Sequence, residues 1–211
     1  ILKIYFPKIK VIAKEKNEGF TSAVNKGVKE ATGGLIVLLN TDVTPEPNFL
    51  FYLTSHFSDP KVFAVGCLQN SDNDGEIRKE GRAVGRFEKG FLMHGPGSIA
   101  KNNTLWVFGG AGMFRKEIWK KMGGLDTIYN PFYWEDIDLS YRALKAGYKL
   151  VFESKSVVTH LQNKGAIRTF YSDSKVKTIA YRNQILFVWL NITDFKFLLN
   201  HFIWFPYHLF K

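Results

Sequence analysis

Leu35-Ile36-Val37-Leu38-Leu39 is an unbroken apolar run that ends in Asn40-Thr41-Asp42. A strand with one face in water alternates apolar and polar residues, so a run without alternation reads as a strand covered on both faces. The chain must then build layers, with helices on either side of a mostly parallel sheet. Open α/β sheets collect their ligands beyond the carboxyl ends of their strands, which is where Asn40 and Asp42 fall. Both residue types also terminate strands and cap helices, so position alone leaves a structural role open.

The remaining pattern fits that architecture. Val11-Ile12-Ala13 is the first clear strand, Asn17-Glu18-Gly19-Phe20 forms a turn, and the spacing of Ala23, Val24, Gly27, Val28 and Ala31 predicts a helix over 21–31. Gly33-Gly34 stops it. Thr44-Pro45-Glu46 has the order of an N-cap, a first-turn proline and a first-turn acid, predicting a helix over 45–57. A second buried strand follows over 62–68. From 69 to 103 the pattern loosens into charged, glycine-rich sequence, with a turn expected at Asp72-Asn73-Asp74-Gly75. Residues 105–114 read as a strand in which Gly109-Gly110-Ala111-Gly112 lets something approach the backbone closely. Helices are predicted over 116–122 and 136–146, and strands over 148–152 and 156–159, with His160 at the end of the last.

A chain of 211 residues, 45% hydrophobic, can bury one substantial core, and no long polar linker divides it. The net charge of +10 favours an anionic partner: a nucleotide diphosphate, an acidic membrane surface or a nucleic acid. A solvated lysine surface is the alternative. No concentrated Lys/Arg stripe or recognition helix is present, so nucleic acid ranks last. Cys67, the single cysteine, sits inside an apolar strand and reads as a small core residue. With no disulfide framework and no signal peptide ahead of the first strand, a cytoplasmic setting is expected. Residues 187–210 are rich in aromatics but interrupted by Asn191, Asp194, Lys196 and Asn200, too often for a membrane span.

Trp134-Glu135-Asp136-Ile137-Asp138 opens the helix over 136–146 with three acids. The positive end of the helix dipole stabilises carboxylates there, which accounts for one acid more readily than for three. The preceding Phe132-Tyr133-Trp134 would exclude water and raise the pKa of a neighbouring acid, as a general base requires. Asp42 with His160 has the vocabulary of a metal site, although a lone histidine is more often a satisfied or exposed one.

Taken in order, Asn17-Glu18-Gly19-Phe20-Thr21-Ser22-Ala23-Val24-Asn25-Lys26-Gly27, Leu38-Leu39-Asn40-Thr41-Asp42-Val43, Gly109-Gly110-Ala111-Gly112-Met113-Phe114, Phe132-Tyr133-Trp134-Glu135-Asp136-Ile137-Asp138-Leu139 and His160 resemble the family 2 glycosyltransferases. The resemblance covers about 11–162 and is closest to the rhamnosyltransferase-like branch that builds bacterial surface polysaccharides. It implies a GT-A fold with a sugar nucleotide, UDP- or dTDP-linked, across the strand ends. Asp42 matches the last acid of the Asp-X-Asp motif, which binds Mg²⁺ or Mn²⁺ on the diphosphate, and His160 matches a further metal ligand. The first acid of that motif is Asn40 here, whose amide oxygen can still ligate or orient a water. Asp136, with Glu135 beside it, matches the Glu-Asp pair that supplies the general base for the acceptor hydroxyl. Asn17, Gly19, Phe20, Asn25, Asn40, Gly110, Ala111 and Trp134 match positions lining the substrates. Inversion at the anomeric carbon is implied, with a saccharide or lipid-linked acceptor.

The resemblance also implies a catalytic domain over 1–180, lacking the family's opening nucleotide-binding strands, and an aromatic-rich helical segment over 181–211. Unpaired sheet edges would then invite self-association into a homo-oligomer. Gln184 and Trp189 lack the spacing of the Gln-X-X-Arg-Trp motif, which argues against a processive synthase. The tail either lies at the inner face of a membrane, as a peripheral contact, or packs on the catalytic domain. A non-catalytic relative that binds saccharide or nucleotide is the second functional reading; the Asn40 departure gives it weight, and the retention of Asp42, Asp136 and His160 together argues against it.

Overall fold

The structure, a computed structural model, describes residues 2–73, 76–161 and 166–210. Its elements in chain order are α1 (Leu2–Tyr5), α2 (Phe20–Glu30), β1 (Leu35–Leu39), β2 (Val43–Pro45), α3 (Phe49–Thr54), β3 (Val62–Asn73), β4 (Glu76–Glu80), β5 (Ala83–Glu88) and β6 (Phe91–Pro96). There follow β7 (Ala111–Arg115), α4 (Lys116–Lys121), α5 (Glu135–Lys145), β8 (Lys149–Leu161), α6 (Ala166–Phe170), α7 (Asp173–Asn191) and α8 (Phe195–Leu209).

The main sheet has the order β1-β7-β3-β8-β2, with β4 paired to β3, and β5 and β6 form a separate hairpin. Alternate residues of its strands feed two cores. Ile36, Phe63 and Phe114 pack with Val28, Trp119 and Leu139 on one face, and Val65, Met113 and Val158 pack with Phe49 and Leu53 on the other. This double coverage is why β1 shows no alternation. Cys67 lies within the second core, and burial pushes its thiol up to about 12.

The α/β layering expected from β1 is present, but the sheet is not mostly parallel. Only β3 and β8 pair in parallel, whereas β7 runs antiparallel to both neighbours, and β2 and β4 are antiparallel to theirs. An apolar run reports burial and carries no information on direction. Gly112 stands opposite both Leu38 and Gly66, so β7 slots between β1 and β3. The pairings nonetheless leave β1, β3 and β8 pointing the same way, so their carboxyl ends meet at one edge.

Several expected elements differ. Val11-Ile12-Ala13 forms no strand; three apolar residues amid lysines are exposed and have no partner strand among the described residues. The helix expected over 45–57 starts only at Phe49, because Pro45 ends β2, an edge strand where a missing N–H is tolerated. The strand expected over 105–114 begins at Ala111, since Val107 is diverted to donate its N–H to Ser140 Oγ (3.2 Å) on α5. The two strands expected over 148–159 are one, β8, with a register shift where β3 passes from Cys67 to Leu68. Of the turn expected at Asp72-Asn73-Asp74-Gly75, Asp74 and Gly75 lie outside the described residues.

The polar stretch without periodicity is a set of β-strands, β4 to β6. Its hairpin joins α7 and α8 around a third apolar cluster that includes Phe91, Tyr129, Trp134, Ile137, Phe187 and Val188. Residue 180 falls inside α7.

Candidate active site

The edge where β1, β3 and β8 end carries the residues picked out in the sequence. Val43 pairs with His160 across β2 and β8, and the Leu161 N–H donates to the Asp42 carbonyl at 3.0 Å. This register places the Asp42 side chain beside His160, Oδ2 to Nε2 3.5 Å, with each side chain only 13% exposed. Asp42 Oδ1 and His160 Nδ1 are buried and have no hydrogen-bond partner among the described residues. A carboxylate oxygen left without a donor in that setting costs on the order of 1–3 kcal/mol unless something else satisfies it. A divalent cation fits these residues. Magnesium-type sites use one or two protein ligands and fill the other positions with water and substrate phosphate oxygens. No group of three or more metal-capable side chains occurs among the described residues, so a cation here would depend on such outside oxygens.

The start of α5 carries the other acids. Asp136 is partly exposed, and its carboxylate accepts from the Gly109 N–H (Oδ2, 3.1 Å) and the Ile137 N–H (Oδ1, 2.8 Å). Burial pushes its pKa up despite those donors. Glu135 is buried, its Oε2 is unpartnered, and burial and the neighbouring Asp136 charge raise its pKa as well. Asp138 is different in kind. It is itself buried and accepts from Arg142 (2.6 and 2.8 Å), Asn191 (2.8 Å) and Tyr129 (3.1 Å). The third acid is therefore a structural tie, unlike the first two.

A glycine turn joins the halves. Gly109 donates to Asp136, while the Gly110 carbonyl accepts from the Asn40 N–H at 2.8 Å. A Cβ on Gly110 would stand 2.5 Å from Asn40 Nδ2 and 2.7 Å from the Phe108 ring, so a side chain there would force Asn40 and Phe108 to shift. Phe20 lies against Gly109, where a Cβ would meet its ring at 3.4 Å. Asn17 accepts from the Gly19 N–H (2.9 Å), and Gly19 takes a φ of 88° close to Asn130. Thr21 donates its hydroxyl to Asn130, whose amide donates to the Glu18 carbonyl (3.0 Å), fastening the start of α2 to the loop before α5.

Two expected substrate contacts are engaged elsewhere. Asn25 uses both ends of its amide on the backbone of Leu125 (2.7 and 3.0 Å), and Ala111 is fully buried with its carbonyl accepting from Cys67 (3.4 Å). Trp134 is 5% exposed at a φ of 79°, following Tyr133 at 69°. Left-handed backbone at two consecutive aromatics is strained and persists only where surroundings hold it. Asn183 of α7, fully buried, does so: its Nδ2 lies 2.8, 2.9 and 2.8 Å from the carbonyls of Tyr129, Phe132 and Tyr133. Sequence reasoning missed it, yet Ile179, Asn183, Phe187 and Asn191 fall at four-residue spacing, and an amide on an apolar stripe was a readable signal. His94 and Trp106, also missed, stand beside this loop and came from a stretch with no periodicity to read.

A family model described as "Glycosyltransferase like family 2" matches residues 3–176. The pre-mycofactocin glycosyltransferase of Mycobacterium tuberculosis is 28% identical over 179 residues, which cover 79% of this chain and 36% of that protein. The poly-beta-1,6-N-acetyl-D-glucosamine synthase of Staphylococcus aureus is 25% identical over 145 residues, 66% of this chain and 33% of its own length. Among solved structures, GalNAc-T7 with UDP, GalNAc and Mn²⁺ superposes with a TM-score of 0.67 at 19% identity, over 90% of this chain and 38% of that one. The mannosyltransferase PcManGT of Pyrobaculum calidifontis, in complex with GDP-Man and Mn²⁺, gives 0.53 at 16% identity, over 98% of this chain and 59% of that one. The shared fold is GT-A, and a match that runs through α2, the β1 edge, the glycine turn and α5 makes the chain a member of glycosyltransferase family 2.

Proposed function

We propose that the chain moves a single sugar from a nucleotide diphosphate-sugar to a hydroxyl of a saccharide or lipid-linked acceptor in cell-surface polysaccharide synthesis, with inversion. The observation that supports this reading is the glycine turn, which bonds Asp136 on one side and Asn40 on the other and so links an elevated-pKa carboxylate to the strand end that carries Asp42. Asp136 accepts the proton of the acceptor hydroxyl as that oxygen attacks the anomeric carbon and the bond to the diphosphate breaks. Its raised pKa suits a base working near neutral pH, and Gly109 and Ile137 fix its direction. Asp42 and His160 would hold Mg²⁺ or Mn²⁺, which when bound would neutralise charge on the leaving diphosphate. The two structural neighbours crystallised with Mn²⁺ and a nucleotide or nucleotide-sugar support that choice. Direct displacement, and so inversion, is what membership of the family leads us to expect.

UDP- and dTDP-sugars are the donors proposed, rhamnose included among the sugars. The exposed apolar face of α8 supports a place against a lipid surface that carries the acceptor. Turnover of a panel of nucleotide sugars with Mn²⁺, read beside nucleotide binding by calorimetry, tests the reading. Asp136→Asn should lower turnover by about 10²- to 10⁴-fold and leave binding of the nucleotide intact; unchanged turnover removes Asp136 from its role.

A further inference from the structure

Four aromatic rings run from the acid pair to the metal-type pair. The Trp134 ring meets His94 edge-on at 5.3 Å, His94 meets Trp106 at 5.9 Å, Trp106 meets Phe108 at 6.4 Å, and Phe108 reaches His160 at 5.6 Å. Trp134 precedes Glu135 and Asp136 in the chain, and His160 stands beside Asp42, so the row links the two groups. His94 and Trp106 do no catalytic work in the scheme above. His94 is exposed on β6, outside the main sheet, and the Gln184 amide of α7 holds that strand by donating to the Leu92 carbonyl at 3.2 Å. Trp106 adds a second observation: its Nε1–H is buried with no hydrogen-bond partner among the described residues.

We propose that the exposed His94 ring, held edge-on between Trp106 and Trp134, is the shelf on which the acceptor's pyranose ring stacks, with the sugar's reactive hydroxyl directed to Asp136. The inference rests on the transferase reading and names the acceptor subsite within it. A pyranose presents axial C–H bonds to the electron-rich face of an aromatic ring, and its rim of hydroxyls can accept from the Trp106 indole N–H. Desolvation lowers the His94 pKa, which leaves an uncharged ring at neutral pH. An aromatic ring face recognises a sugar face and is indifferent to what carries the sugar, so free and lipid-borne pyranosides share this chemistry.

Saturation-transfer NMR on the whole chain tests it, with methyl pyranosides of glucose, N-acetylglucosamine, mannose and rhamnose as one set of probes and their dodecyl glycosides, below micelle formation, as the other. Each is measured alone and with Mn²⁺ and UDP, dTDP or GDP. Saturation should pass to the C–H protons of one sugar face. His94→Ala should weaken binding by about five- to tenfold, the scale of one aromatic contact, while His94→Phe stays within about twofold. Tighter binding of dodecyl glycosides, lost in His94→Ala, identifies a lipid-borne acceptor; equal affinity identifies a free one. Pyranoside binding that His94→Ala leaves unchanged, or no pyranoside binding while nucleotide and Mn²⁺ bind, overturns the shelf and spares the transferase reading. Failure of every nucleotide to bind removes the transferase reading, and the sugar measurements without nucleotide still decide the shelf.

Discussion

At the scale of single residues, the site depends on two acids next to each other that are kept from ionising easily. Both Glu135 and Asp136 have raised pKa values, chiefly through burial. A carboxyl whose folded pKa lies above its unfolded value stabilises the fold below the unfolded pKa, and that contribution is lost as pH rises through the folded one. Thermal midpoints should therefore fall as pH rises from the ordinary glutamate range through neutrality. In Glu135→Gln the fall should be smaller and the midpoint at alkaline pH higher; a variant that follows the unmodified chain at every pH would show that Glu135 is not held in this way. Turnover should have its acidic limb above the usual aspartate range, reporting the pair as a unit, and Asp136→Asn should remove the limb with the activity. What was legible in the sequence at this scale is that Asp42 and His160 each lie at a strand end, and the structure pairs them at 3.5 Å. Asn25 and Ala111 lie in equally good motifs, yet their side chains or backbone serve packing. A motif carries geometry as well as contacts, and sequence does not separate the two.

Among the elements, helices with a clear apolar stripe were legible: α2 and α5 lie within a residue or two of their expected bounds. The hairpin of β5 and β6 was not, because its residues are largely exposed and show no alternation to read. The largest element-scale lesson is α7. A catalytic domain closing at residue 180 would cut this helix before Asn183, Phe187, Val188 and Asn191, all of them buried. Asn183 holds the Tyr133-Trp134 backbone and Asn191 bonds Asp138, so α7 behaves as part of the site's frame. Asn183→Ala leaves three carbonyls short of a donor and opens space in a packed region, so a loss of about 2–4 kcal/mol is expected in chemical denaturation. Asn183→Asp brings a carboxylate against the same carbonyls and should be worse. If both variants keep full stability, the α7 clamp is wrong.

For the whole molecule, the layered architecture was legible from β1 but the direction of β7 was not, because burial on both faces looks the same whichever way a strand runs. The tail was left between two readings, packing and membrane contact, and the structure has features of each. His201 is buried with Nδ1 at 2.7 Å from the Gly90 carbonyl, and Phe197 stacks on Phe87 at 4.6 Å, so one side of α8 is packed. The other side exposes Phe195, Phe202, Ile203 and Phe210 at 79%, 66%, 65% and 91%. No helix among the described residues is long and apolar enough to cross a membrane, so such a face would lie along a lipid surface. The net charge of +10 adds an attraction to anionic headgroups, about 1 kcal/mol for each basic residue near the surface and screened over about 10 Å at moderate salt. The chain should therefore float with vesicles that contain phosphatidylserine or phosphatidylglycerol, more weakly as salt rises, and not with neutral vesicles. Phe202→Glu together with Ile203→Glu should abolish flotation, while binding of nucleotide with Mn²⁺ at the distant strand edge stays as it was. The competing occupant of that face is a second copy of the chain, which light scattering would reveal as a dimer that the same two substitutions dissolve without any vesicle present.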